Sequence, residues 1–271
     1  MKKFKVEKSQ KLVDFLAEKL NISKKKAKRL IDTKNVFIDN KRVWIASYKL
    51  DKGSIVEVPD TLQQKVDIEI IYEDNFILAV NKPAFLVSDK EKNSVENLLR
   101  KKISKNIKAI HRLDKETSGV LLFAKDFYIY ERFKDIWNRK YIEKNYYAIS
   151  HGKALFKEKT INIKVDNKEA ISFVKTLKVV DKYSLFLVKP ITGKKHQIRI
   201  HLSKIGHPIV GDKLYGKKAY SKLEKSVYRH LLHAKSIRLF HPFLKKDIYI
   251  SSKVADDIKD FAKFYLNFNL K

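Results

Sequence analysis

Residues Ile110–Lys125 read IHRLDKETSGVLLFAK, a polar loop followed by one glycine and the apolar run VLLFAK. That run has the length of a buried strand, and Gly119 marks the point where the loop re-enters a sheet. Working outward, IEIIYEDNFILAVNK (68–82) predicts two strands about a polar turn, and NYYAIS (145–150) predicts another. ISFVKTLKVV and YSLFLVK, parted by Asp181-Lys182, predict a long hairpin, while SIRLF and IYI add strands near the end. Helical stripes are confined to 127–142, with Tyr130, Phe133, Trp137 and Tyr141, and 255–266, with Ile258, Phe261, Ala262 and Tyr265. Strands joined mainly by hairpins, with few helices, indicate an α+β domain over 67–271 around a mixed, largely antiparallel sheet.

The first 60 residues read as a separate small α/β module. Leu12, Phe15, Leu16 and Leu20 recur at helical spacing, and Ser23 is placed to cap a second helix, KKKAKRLIDTK. VFID and RVWI then flank an expected Asn40-Lys41 turn, and SIVEV supplies a further strand. Basic side chains outnumber acidic ones two to one in this module. A lysine-rich helix face is often no more than a solvated face. PDTLQQK lacks apolar periodicity, so residues 61–66 are expected to form a linker to the larger domain.

Over all 271 residues, 60 Lys and Arg stand against 31 Asp and Glu, a formal charge of +29. A lysine-rich composition contributes to that excess, which still suits a polyanion such as RNA better than a small neutral ligand. With no cysteine there is no disulfide, no thiolate metal site and no thiol nucleophile. No apolar run approaches the roughly 20 residues of a membrane span and the N-terminus has no signal-like core, so no membrane role and a cytoplasmic location are expected. Phosphate-loop and dinucleotide fingerprints are missing, and the histidine spacings suggest no metal site.

Two segments look chemical. Asp114, between Arg112 and Lys115 at a strand edge, can act as nucleophile or base, or can merely form a turn or pair with Arg112. In ITGKKHQIRIHLSKIGHPIVGDKLYG (191–216), Arg199 lies among apolar residues of a helical stretch and needs a carboxylate, for which Asp114 is one candidate and any nearby acid another.

HRLDKETSG with VLLFAK, followed about eighty residues later by TGKKHQIRIHLSKIGHPIVGDKLYG, resembles the RluA-type family of RNA pseudouridine synthases. KNYYAISHG, NKEAISF and RHLLHAKSIRLFHP extend the resemblance across the larger domain. The N-terminal module resembles a small RNA-binding module first recognised in a small-subunit ribosomal protein. The resemblance implies the pseudouridine synthase fold and isomerisation of uridine without a cofactor or a metal. It implies Asp114 as the essential carboxylate, Tyr146 as the ring that stacks on the target base, and Arg199 as the partner of the aspartate. His111, Arg112, Thr117, Lys144 and Gln197 would contact substrate or, for Lys144, support the same anion cluster. Lys24, Lys25, Lys28 and Arg29 would meet RNA phosphates. Two departures stand out: Lys194-Lys195 replaces the usual Arg-Thr, and Phe85 stands where glycine is usual, so a rearranged loop is expected there.

Large-subunit ribosomal RNA is the expected target and transfer RNA the alternative, with the protein acting as a monomer. A non-catalytic RNA-binding or ribosome-assembly protein would have no need of Asp114, Tyr146 and Arg199 together. An aspartate-dependent nuclease would need clustered acidic metal ligands.

Overall fold

The computed structural model describes residues 2–32, 36–58, 68–138, 142–216 and 227–270. The chain divides into two compact units, 1–67 and 68–271. The expected linker 61–66 lies outside the described residues.

In the first unit β1 (Lys2–Lys5), β2 (Gln10–Lys11), α1 (Leu12–Lys19), α2 (Lys24–Asp32), β3 (Val36–Ile38), β4 (Lys41–Val43), β5 (Lys49–Leu50) and β6 (Ile55–Val58) follow one another. The antiparallel sheet runs β1-β6-β3-β4, with β2 paired separately to β5. Leu12, Phe15 and Leu16 of α1 and Ala27 and Ile31 of α2 bury against Val36, Ile38, Val56 and Val58. Ser23 caps α2 as expected, its hydroxyl accepting from the Lys26 amide at 3.3 Å. The hairpin turn sits one residue earlier than the sequence suggests, at Asp39-Asn40, with φ of +49° and +62°. A tight hairpin needs two positive φ values, and Asp and Asn tolerate them where Lys does not.

The second unit contains β7 (Ile70–Glu73), β8 (Ile77–Lys82), α3 (Val95–Lys102), β9 (Lys108–Ala109), β10 (Ser118–Ala124), α4 (Phe127–Asn138), β11 (Glu143–His151) and β12 (Glu158–Asn162). β13 (Ile171–Val180), β14 (Tyr183–Pro190), α5 (Gln197–Lys204), β15 (Leu232–His241), β16 (Lys246–Ser251) and α6 (Asp256–Leu266) complete it. Among the described residues one sheet runs β12-β13-β14-β11-β15-β10-β8-β7, with β16 added to β15 and β9 to β10. Its pairs are antiparallel except β10 with β15, which is parallel at Ser118–His233 and Gly119–Ala234. That crossing explains the glycine: φ is +115° at Gly119, and a Cβ there would lie 2.2 Å from the Ala234 carbonyl oxygen.

Alternate residues of the central strands feed two cores. Ile77, Ala79, Val120, Leu122, Ile237 and Leu239 pack with Phe133 of α4, whereas Leu78, Val80, Leu121 and Phe123 pack with Val95 and Leu99 of α3 and with Leu113. A third core joins Ala148, Phe186 and Val188 to Ile198 and Leu202 of α5 and Ile258 and Phe261 of α6. Helix α3, capped by Ser94, and the short strands β9 and β12 were not anticipated. Helix α4 covers Phe127–Asn138 of the expected 127–142; residues 139–141, Tyr141 among them, lie outside the described residues.

Candidate active site

The loop between β9 and β10 is fastened along its length. Arg112 Nε meets Asp89 Oδ1 at 2.8 Å, and the Leu113 amide donates to Ser88 Oγ, which donates back to the Leu113 carbonyl, both at 3.0 Å. The Lys115 carbonyl accepts from the Phe85 amide at 2.7 Å. Glu116 pairs with Lys213 at 2.9 Å, and its carbonyl accepts from Arg229 Nη1 at 2.9 Å. Ser118 Oγ is bonded to His233 Nδ1 at 2.9 Å. A turn closed by the Thr117 amide on the Asp114 carbonyl, 3.0 Å, aims the Asp114 side chain away from these anchors.

Arg199, near the start of α5, meets that side chain. Its Nη1 donates to Asp114 Oδ2 at 3.1 Å, while Nε and Nη2 grip Asp212 at 2.7 and 2.9 Å. Asp212 is the bidentate partner that the sequence reading did not single out. Its side chain is fully buried and also accepts from the amides of Leu214 and Tyr215. Burial opposes the charge on Arg199, but the hydrogen bonds and charges of Asp212 and Asp114 outweigh it and raise its pKa. The guanidinium is therefore a fixed cation that orients Asp114. Tyr215 lies beneath it, ring centre 5.2 Å from Cζ, and its hydroxyl contacts His196 Nδ1 at 3.1 Å. His196 Nε2 faces Asp114 Oδ1 at 3.7 Å.

Tyr146 enters from β11, at a bulge between Asn145 and Tyr146. Burial first, and then the charge of Asp114, push its phenol well above the ordinary range. At neutral pH the phenol is therefore protonated. Lys82, fully buried at the end of β8, donates to the carbonyls of Pro83, Leu86 and Lys115 at 2.9, 2.8 and 3.2 Å. Burial and the nearby Arg229 push its amine down to about 7, against the opposing pull of Asp114. The same strap holds Phe85, which keeps a left-handed φ of +70°. Phe85 thus takes the left-handed conformation itself, at a strain of about 1–2 kcal/mol, with its amide bonded to the Lys115 carbonyl, which also accepts from Lys82.

Other residues expected to touch substrate face inward. His111 stacks on Trp137 at 4.3 Å, accepts from the Leu122 amide and is pushed down to about 3 by burial and by Lys144. Thr117 Oγ1 is bonded to His230 Nε2 at 2.8 Å and is buried. Gln197 spends its amide on Ile171, Ser172, Thr192 and Lys194. Lys144 lies over the Trp137 ring at 5.4 Å, with burial lowering its pKa. These polar groups have protein partners within the fold. Arg112 alone of this set is well exposed. In the first unit Lys24 is paired with Asp14 at 2.8 Å, Lys25 and Lys28 are exposed, and Arg29 belongs to the same helix. No cluster of three potential metal ligands occurs among the described residues, and no described helix is long and apolar enough to cross a membrane.

A carboxylate held by a buried arginine beside an aromatic platform suits displacement or proton transfer at a planar, extruded base. The RNA pseudouridylate synthase family model matches residues 76–204, and the S4 domain model matches 10–56. A ribosomal large subunit pseudouridine synthase C of Buchnera aphidicola is 35% identical, covering 83% of each chain. The chain belongs to the RNA pseudouridine synthase family. It is thus an isomerase of uridine in RNA. A tRNA pseudouridine synthase C of Vibrio parahaemolyticus is 31% identical to this synthase, over 70% of this chain and 92% of its own. The solved structure of human RNA pseudouridylate synthase domain containing 1 shares its fold, with a TM-score of 0.62 at 23% identity over 76% of this chain and 91% of the other. The expected α+β pseudouridine synthase fold is therefore the observed one.

Proposed function

We propose that this synthase modifies large-subunit ribosomal RNA in the cytoplasm, as a monomer, with Asp114 as its catalytic carboxylate. The supporting observation is the 3.1 Å contact that brings Asp114 together with Arg199 from 85 residues away. In the reaction the bond between ribose and base nitrogen breaks, the base turns, and carbon 5 joins the ribose while losing its proton and the nitrogen gains one. Atoms and electrons balance within the nucleotide. Arg199 fixes one oxygen of Asp114 and leaves Oδ1 for the ribose or base, and Tyr146 carries the extruded ring. Extrusion costs a few kcal/mol, which stacking and cationic contacts must offset. The S4 module would supply such contacts through Lys25 and Lys28.

The choice of RNA rests on coverage. Relatives named for the large ribosomal subunit align over as much as 83–92% of this chain, more than its second unit alone could supply. The transfer RNA relatives align over 68–70% of it while using 92% of their own length. Asp114→Asn should abolish isomerisation and leave RNA affinity within a few fold; retained turnover would remove Asp114 from its role. Mapping pseudouridines in ribosomal and transfer RNA from cells with and without this gene decides the target.

A further inference from the structure

We propose that His196 and Asp114 form a two-pronged subsite for the 2′-hydroxyl of the target ribose, making His196 a specificity-determining residue. The inference rests on the catalytic reading above. Asp114 Oδ2 is committed to Arg199, but the contact of Oδ1 is with His196 Nε2, at 3.7 Å. That separation is too long for a hydrogen bond and too short for an unrelated pair. A hydroxyl oxygen placed about 2.8 Å from each fits between them, donating to Oδ1 and accepting from Nε2. Within an RNA strand the 3′ and 5′ oxygens are esterified, so the 2′-hydroxyl is the free hydroxyl of the sugar, and it lies next to the carbon whose bond must break.

The imidazole is built to present this donor. His196 adopts a left-handed backbone, φ +55°, at the residue preceding α5, a conformation uncommon for a side chain of its size. The Tyr215 hydroxyl lies 3.1 Å from Nδ1, and in the tautomer in which it donates there the proton sits on Nε2. The Tyr215 ring meets the imidazole edge to face at 5.8 Å, and the Asp212 carboxylate holds the Tyr215 amide. The charged groups around the imidazole are Asp114, Arg199, Lys195 and Asp212; burial, the largest influence, holds it below its ordinary pKa. A neutral ring with one N–H complements a hydroxyl, whereas an imidazolium would pair directly with Asp114. Discrimination of RNA from DNA by its 2′-hydroxyl is a general feature of RNA recognition; the assignment of that task to this pair comes from the geometry.

The test compares full-length wild type, His196→Asn and His196→Gln on one RNA whose target position carries uridine or 2′-deoxyuridine, read by competitive inhibition of the isomerisation of labelled uridine RNA. Asn tolerates the left-handed backbone but cannot reach Oδ1, while Gln can restore a donor. Wild type should prefer the ribose target by roughly tenfold or more, with each of the two hydrogen bonds worth about three- to tenfold. His196→Asn should lower the ratio by about three- to tenfold while the Asp114 bond persists, with Gln recovering part of the loss. An undiminished ratio in His196→Asn, with isomerisation still present, overturns the subsite and leaves the catalytic reading standing. A wild-type protein that isomerises no uridine in any RNA removes both.

Discussion

A buried arginine demands an anion, but Asp114 is singled out as the partner of Arg199 by the resemblance of the two motifs, and the 3.1 Å contact joins them. Asp212 is not legible in the sequence, since a Gly-Asp pair reads as an ordinary turn until its carboxylate is seen accepting two amides as well as the guanidinium. For His111, Thr117, Gln197 and Lys144, a polar residue within a motif signals a needed partner without saying whether protein or substrate provides it; each has a protein partner in the fold. Asp212→Asn tests how much the hidden carboxylate matters. Removing one partner of a buried pair costs about 3 kcal/mol, measurable by urea denaturation. Isomerisation per folded molecule should fall with it, because Arg199 is no longer held to face Asp114; unaltered turnover would show that Asp114 needs no such orientation.

At the level of elements, the long hairpin β13–β14 and the strands β8, β10 and β11 follow from apolar runs and turn residues. Elements without a continuous apolar run escape: α3 is held by the Ser94 cap and burial of Val95 and Leu99, and β12, among the described residues, by pairing with β13. The parallel contact of β10 with β15 could not be read locally, since it joins residues 115 positions apart, although its glycine could. Gly119→Ala should destabilise the fold by roughly 2–4 kcal/mol, because the added carbon meets backbone that cannot swing aside. Chemical denaturation measures this, and a variant as stable as wild type would mean that the strands part there at little cost.

The whole molecule carries a formal charge of +29. If Lys25 and Lys28 contact phosphates, replacing both by glutamine should lower the slope of log affinity against log salt by about two; a parallel line would place the anchor elsewhere. Acid acts through the interior instead. Burial pushes His111, His230 and His233 down to about 3. Between pH 6.5 and 3 the unfolded chain therefore binds more protons than the folded one, and stability falls as pH falls, by about 1.4 kcal/mol per pH unit for each histidine. Melting temperatures followed from pH 7.5 to 5 should show the decline begin near 6.5, and His233→Gln should shallow it.

The fastening of the Asp114 loop has a temporal side. Its ties to Arg199, His230 and His233 reach 85 to 115 residues forward, and Arg229, which holds the Glu116 carbonyl, is itself secured by Asp257. During translation the aspartate emerges long before these partners exist. A chain terminated before Arg229 would carry Asp114 on a loop without its His230, His233 and Arg229 ties, and should be silent toward RNA.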